Sequence, residues 1–254
     1  MANRKHYTFN QMVASGYVAD HYLIHKFGAN FDVDTNTDPE TIWTAGGLYP
    51  WSSWSASGNT LYIASTDAND TATITLRGLD ANFDLQTEVL QMTGDTVVTS
   101  AKQYRRIDRA FYNHGNPNQG TITARVDSAA GPIVTQIDAN RGQTLQAYYT
   151  VPNGYCAYLY SIDFSVQKGE DAQVSMITRQ NGAGFRVHHI AEIYQNQYNY
   201  VFTFPQRFDE KTDIDMQIVE VETNNTRVSA NFELLLVKKE PDHPNEAIDP
   251  YQTL

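Results

Sequence analysis

From Thr60 onward, apolar side chains recur at every second position in short runs. "TLYIAST", "ATITLRGLD", "LQTEVLQM" and "TVVTSAKQYRRID" come first, with "DAND", "DANFD" and "TGD" between them. "GTITARVD", "PIVTQIDA" and "QTLQAYYTVP" continue to Pro152, and "YCAYLYSIDFSVQ" runs on to "KGED". A period of two places alternate side chains on opposite faces of a pleated strand, and the Asp, Asn and Gly clusters supply the turns. The clearest alternations come late. Phe185, Val187, His189, Ala191 and Ile193 share one face; Tyr198, Tyr200, Phe202 and Phe204 share another until Pro205. Ile214, Met216 and Ile218 alternate with Asp213, Asp215 and Gln217, which predicts a strand with one dry and one wet face. The phase slips between Ile218 and Val219, as a β-bulge would make it slip. Val228, Ala230, Phe232, Leu234 and Leu236 follow, so "EKTDIDMQIVEVETNNTRVSANFELLLVKK" reads as a hairpin turning at "ETNNT", at one end of a sandwich.

Nothing between these runs has the period of a crossover helix, so the sheets are expected to be antiparallel. The predicted class is all-β, an antiparallel β-sandwich of jelly-roll type, with about eight strand candidates counted from Pro132. The chain divides into an N-terminal arm (1–20) with a short helix around Asn10 to Val13, an irregular Trp-bearing loop plus a first β module (21–131), the jelly-roll-like sandwich (132–239) and a flexible tail (240–254). "YLIHKFG" ends at Gly28. A non-periodic stretch from Ala29 to Asn59 then carries Pro39, Gly46, Gly47, Pro50 and the three tryptophans Trp43, Trp51 and Trp54. Long irregular segments in compact proteins are functional or packed along a surface, and indole rings need cover from water. Whether the earlier strands form a second sandwich or extend the first stays open at this point.

Composition sharpens the picture. The 254 residues include 41% apolar and 12% aromatic side chains, enough for a sizeable core. Charged residues make up 19%, under the usual ~25%, so the surface is rich in Asn, Gln, Thr and Ser and suits contact with protein. A net charge of -11 argues against a nucleic-acid partner, because phosphate contact needs clustered Lys and Arg. The N-terminal segment has neither a secretory leader nor a membrane span, which predicts synthesis in a reducing cytoplasm and no membrane partner. Cys156 lies in a strand-like run and reads as a small buried hydrophobe.

Candidate chemistry is sparse. His188 and His189 are adjacent, so a strand sends them to opposite faces; His21 and His25 have helical spacing without the rest of a zinc-protease motif. "DVDTNTDPE" offers alternating oxygen ligands but lacks the glycine and helices of an EF-hand loop. No nucleophile elbow, phosphate loop, dinucleotide fingerprint or zinc ribbon occurs. No catalytic residue, metal or cofactor is assigned. Against the acidic background, "KQYRRIDR" places Lys102, Arg105, Arg106 and Arg109 in one strand-like stretch. Such a stretch is either a solvated strand edge or a contact in which arginine forks meet acidic partners.

The order of "LIHKFGANFDVDTNTDPETIW", "TLRGLDANFDLQTEVLQMTGDTVV", "RRIDRAF" and "QTLQAYYTVPNGYCAYLYSIDFSV", closed by the 210–239 segment, resembles a family of virion-associated proteins of tailed bacteriophages of the marine and cyanobacterial type. The likeness spans roughly Leu23 to Lys239. It implies a particle component and supplies no catalytic residues. The expectation that follows is a non-enzymatic capsid decoration or cement protein in the virion. It would form homo-oligomers, trimers in the first instance, and bind across major capsid protein subunits. Trp43, Trp51 and Trp54 would serve as loop anchors and Lys102, Arg105, Arg106 and Arg109 as charged contacts. A tail adaptor, nozzle or fibre component, a carbohydrate-binding module or enzyme, and a jelly-roll coat protein are the rival readings.

Overall fold

A computed structural model of the chain describes residues 7–35, 39–194 and 196–239. Helix α1 (Phe9–Ala14) starts at Thr8, whose hydroxyl accepts from the Gln11 N–H while the Gln11 side chain accepts from the Thr8 N–H. This capping box satisfies two of the orphan donors of the first turn. The strands then run in chain order. First come β1 (His21–Val33) and β2 (Glu40–Thr41). The middle third holds β3 (Leu61–Ser65), β4 (Thr73–Leu79), β5 (Leu85–Gln91), β6 (Val98–Thr99), β7 (Arg106–Asn113), β8 (Ile122–Val126) and β9 (Ile133–Ile137). The last part holds β10 (Tyr148–Thr150), β11 (Tyr155–Val166), β12 (Asp171–Arg179), β13 (Arg186–Tyr194), β14 (Gln197–Phe208), β15 (Asp213–Val221) and β16 (Thr226–Lys238). Every ladder is antiparallel.

Two sheets build the principal sandwich, in the orders β1-β16-β11-β14 and β10-β15-β12-β13, with β2 added beside β15. Counting its eight long-range strands from one, these orders are 1-8-3-6 and 2-7-4-5. That is the path of a four-pair antiparallel ribbon (1 with 8, 2 with 7, 3 with 6, 4 with 5) rolled onto itself, a jelly roll. The predicted jelly-roll-like sandwich is therefore present. The strand count from Pro132 is eight, but its membership differs from chain order: β9 lies elsewhere, and β1 supplies the missing strand by pairing with β16 from His21↔Val237 to Val33↔Thr226. The inner faces of both sheets share one core. Leu159, Ile162 and Phe164 of β11 and Phe232 and Leu234 of β16 meet Val174 and Met176 of β12 and Ile214, Met216 and Ile218 of β15. Removing a ring such as Phe164 or Phe232 wholly from water contributes about 2–3 kcal/mol.

The middle third forms a second sandwich, inserted between the first two strands of the roll. Its sheets are β6-β3-β8-β9 and β5-β4-β7, and they close over Leu61, Ile63, Ile74, Leu76, Ile107, Ala124, Val126 and Val134. So the earlier strands neither extend the first sheet nor stand as a separate N-terminal unit; the chain leaves the roll after β2 and returns at β10.

Two local expectations change. The 210–239 segment is not a hairpin. β15 and β16 belong to opposite sheets, and residues 222–225 arch across the end of the sandwich between them. Each strand finds its hydrogen bonds with other partners, β12 and β10 for β15, β1 and β11 for β16. The bulge at Val219 is present, since the register steps from Val174↔Ile218 to Gln173↔Glu220. The strand that opens with "YLIHKFG" also does not end at its glycine. β1 continues to Val33, and Gly28 pairs with Ala230 in mid-strand. Glycine is there because the backbone of Ile42 and Ala147 presses onto it: a Cβ at position 28 would stand 2.3 Å from the Ala147 nitrogen and 2.4 Å from the Ile42 oxygen. Ala147 in turn donates to Ile42 at 2.9 Å, so this crowding is where the chain leaves the roll and where it returns.

Gly28→Ala is expected to destabilise the fold on the order of 2–3 kcal/mol, because backbone on the far side cannot yield without parting the two connections. Urea unfolding followed by tryptophan fluorescence measures it; an unchanged midpoint would remove the close approach as a constraint.

Candidate functional site

The seam between the two sandwiches is built from the face of β15 that the alternation predicts to be wet. Asp213, Asp215 and Gln217 are 2%, 0% and 7% exposed. Their strand carries its apolar residues into the roll's core, so period two sends the polar residues outward. There the inserted sandwich covers them. Buried charge in that position has to be paired. Arg106, at the start of β7, supplies the pairing: its Nε donates to Asp213 Oδ1 and its Nη2 to Asp213 Oδ2, both at 2.9 Å. Arg179 of β12 adds Nη2 to Asp213 Oδ2 at 2.5 Å, and the Thr150 hydroxyl donates to Oδ1 at 2.6 Å. The two guanidinium groups flank the Trp51 ring, with their carbons 5.2 and 5.5 Å from a ring centroid.

Beside this fork, Asp215 Oδ2 accepts from Trp51 Nε1 (3.0 Å), Thr41 Oγ1 (3.0 Å) and Gln217 Nε2 (3.1 Å), while its Oδ1 is buried without a partner. Burial pushes the Asp215 carboxyl up to about 7; the three hydrogen bonds hold it lower than burial alone would, and the neighbouring Asp213 charge raises it further. At the other end of the seam, the Lys26 ammonium of β1 donates to the backbone carbonyl of Asp108. Burial draws Lys26 down to about 7, against the attraction of Asp108 and with the repulsion of Arg109. Asp108 is the extra residue of a bulge in β7, where the register steps from Arg77↔Arg109 to Gly78↔Ile107. Arg109 crosses the seam too, donating Nη2 to the His25 carbonyl at 2.6 Å and lying over Phe27.

The tryptophans belong to the same seam. Trp43 and Trp54 are buried and Trp51 half-buried. Trp54 Nε1 donates to the Tyr49 hydroxyl at 3.1 Å; Tyr49 packs on Tyr148 with centroids 4.0 Å apart, and Trp43 meets Tyr49 edge-on at 5.3 Å. Tyr148 lies on a strand of the roll while its ring joins the core of the inserted sandwich. The expectation that Trp43, Trp54 and Arg106 reach a neighbouring subunit is corrected by their burial: with half-buried Trp51 they anchor one sandwich of this chain to the other. Lys102 and Arg105 stay outside the seam's core. Lys102 is exposed, donates to the Thr87 carbonyl at 2.8 Å and stands in a turn held by Glu88; Arg105 lies over Phe83 and donates to Ala56 and Ala81 carbonyls. The acidic partners of the arginine cluster escaped the sequence reading, because Asp213 and Asp215 look like any wet strand face. The available signal was the surplus of arginine in an acidic chain, which requires carboxylates somewhere.

A second feature lies on the roll's open side. β13 pairs only with β12 and β14 only with β11, so each is an edge. His189 spans the gap between them, its Nε2 2.9 Å from the Tyr198 hydroxyl and its ring 5.4 Å from Tyr200. Partial burial lowers its pKa, with His188 adding to the fall. His188 is the extra residue of a bulge in β13, where the register steps from Met176↔His189 to Ile177↔Val187, so simple alternation does not apply to the pair; it bonds Gln206 and meets Phe208. His21 and His25 lie on strand β1 and not on a helix. Among the described residues, no three His, Cys, Asp or Glu side chains are placed to hold a metal ion, and residues 36–38 of the calcium-like "DVDTNTDPE" fall outside that description. Cys156 is buried, as expected. No helix among the described residues is long and apolar enough to cross a membrane.

No sequence profile of a known protein family matches the chain, and no curated protein matches it. Among solved structures it is similar to that of the infectious bursal disease virus Gt strain, at 10% identity and a TM-score of 0.22, over 89% of this chain and 74% of that one. The VP2 subviral particle of the same virus gives 8% identity and a TM-score of 0.23 over 86% and 72%. At such scores the likeness assigns no residue and no role.

Two predictions concern the seam. Arg106→Ala removes the bidentate one of the two guanidinium groups on buried Asp213 and should cost about 3 kcal/mol, whereas Arg105→Ala should cost under about 1 kcal/mol; chemical denaturation of the two variants compares them. For Asp215, the folded carboxyl keeps its proton up to about 7 while the unfolded one loses it near 3.8. The unfolded state therefore binds fewer protons in that window, and this group's contribution is full below it and lost as pH rises through 7. Asp215→Asn should flatten that decline, so thermal melts across the window should converge with wild type at the acid end and diverge toward neutrality.

Proposed function

We propose that the chain is a structural component of a virus particle, and specifically a capsid decoration protein of a tailed phage that binds across major capsid protein subunits. The observation that carries this reading is the build of the molecule: a jelly roll with a second sandwich inserted between its first two strands and fixed to it by buried arginine forks and stacked rings. Two lobes joined in this way move as one body. A stiff two-lobed block suits bridging between shell subunits, where a flexible one would lose its contact energy to ordering. Jelly rolls serve viral capsid and lectin domains alike, so fold alone does not decide the role. The phage-family resemblance of the sequence and the polar, weakly charged surface favour the particle. Binding only to assembled shell would stabilise it by linkage. The contacts then come from exposed surface such as Lys102 and not from the buried tryptophans. A coat protein that itself forms the shell is the second reading, favoured by the rolled strand order.

Quantitative mass spectrometry of purified particles tests both. Hundreds of copies alongside a more abundant shell protein are expected for decoration. This chain as the most abundant species would make it the coat protein. A few copies matching a tail's ring symmetry would move it to the tail, and its absence from particles would reject a virion role.

A further inference from the structure

Among the described residues, the open side of the jelly roll carries six of the sixteen exposed large apolar side chains. Phe204 is 85% exposed, Tyr194 72%, Val187 and Val201 65% each, Ile190 54% and Tyr200 43%. All six lie on the edge strands β13 and β14. With aromatic side chains offering 150–250 Å² each, the six expose together roughly 700 Å² along the two edge strands, near the ~800 Å² per partner of a standard interface. The edge strands are long, 9 and 12 residues. Edges of soluble proteins are usually short, charged or covered, because an open row of N–H and C=O groups templates pairing. Here Pro205 alone interrupts the edge of β14, near its end, leaving 197–204 free of proline.

We propose that this side of the roll is a two-fold contact between two copies of the chain, with β14 lying antiparallel to its own copy. Three observations select a second copy. First, the area matches what a stable dimer needs. Second, the charge permits it: in a chain of net charge -11, the segment 186–208 contains two arginines and one glutamate, so the face lacks the acidic excess that would drive copies apart. Third, the strand is an open edge: among the described residues β14 pairs only with β11, and an edge strand can pair antiparallel with its own copy. An antiparallel strand pairs with itself about a two-fold axis, which sets the ladder Tyr198, Tyr200, Phe202 and Phe204 against the same ladder of the partner copy, and cross-strand aromatic pairs stabilise such a meeting. This gives a dimer where the sequence resemblance leads one to expect a trimer, and it holds whether or not the chain belongs to a virus particle.

The full chain in solution tests it, by sedimentation equilibrium at micromolar concentration. The expected mass is twice the 28.6 kDa of one chain. Phe204→Asp and, separately, Val201→Lys should weaken association by about tenfold or more, with thermal melting points at or above that of wild type diluted to its monomer. Val89→Lys, on the exposed strand β5 of the inserted sandwich, should leave the mass unchanged. A wild-type chain that stays monomeric overturns the proposal and leaves the face to a different protein. So does a dimer that survives both β14 substitutions, or one that Val89→Lys dissociates.

Discussion

The structure depends on one buried carboxylate. Asp213 sits on the outer face of the jelly roll, where it would be an ordinary wet residue if the roll stood alone. The inserted sandwich covers it, and an uncompensated charge there would cost several kcal/mol. Arg179 of the roll pairs with it, and Arg106 of the inserted sandwich adds a second, bidentate guanidinium only when both lobes are in place. Burial that would be a penalty becomes a device for registering one lobe against the other. Trp51 extends it: the ring lies against both guanidinium groups and its N–H bonds Asp215.

The rest of the seam follows from the same constraint. The insert leaves and re-enters the roll at Ile42 and Ala147, side by side, and Gly28 has no side chain because those backbones lie against it. Lys26 and Asp215, each held near neutrality by burial, mark the two ends of a zone in which water has been excluded but polar groups remain. A seam of this kind favours one relative placement of the lobes over sliding alternatives, since any displacement strands a donor or a carboxylate. The apolar side of the roll, by contrast, has no partner within the chain, and its chemistry calls for another surface.

Much of this was legible in local patterns. Period-two alternation located the late strands, the phase slip at Val219 marked a real bulge, and Pro152 fell just past a strand end; Pro205, expected to stop its strand, lies within β14, which runs on to Phe208 after a register shift. The short helix expected around Asn10 to Val13 is present, and the structure starts it with a capping box at Thr8 and Gln11. What misled was adjacency. "ETNNT" between two alternating runs looks like a hairpin turn, yet an arch between sheets uses the same residues, because both need only polar side chains and a chain reversal. Gly28 looked like a strand end because glycine usually weakens strands, and here it permits close packing instead.

By itself, the sequence determined which residues alternate, and hence an all-β antiparallel protein with enough apolar and aromatic surface for a large core. Only the tertiary structure decided that Arg106 finds Asp213, that the polar face of β15 is dry, that β1 joins β16 from the far end of the chain, and that Trp43 and Trp54 are buried in the seam with Trp51 half-buried beside them. The reason is physical. Alternation is written by neighbours along the chain, whereas burial of a given face is decided by whatever part of the chain comes to lie on it, and no local pattern records that.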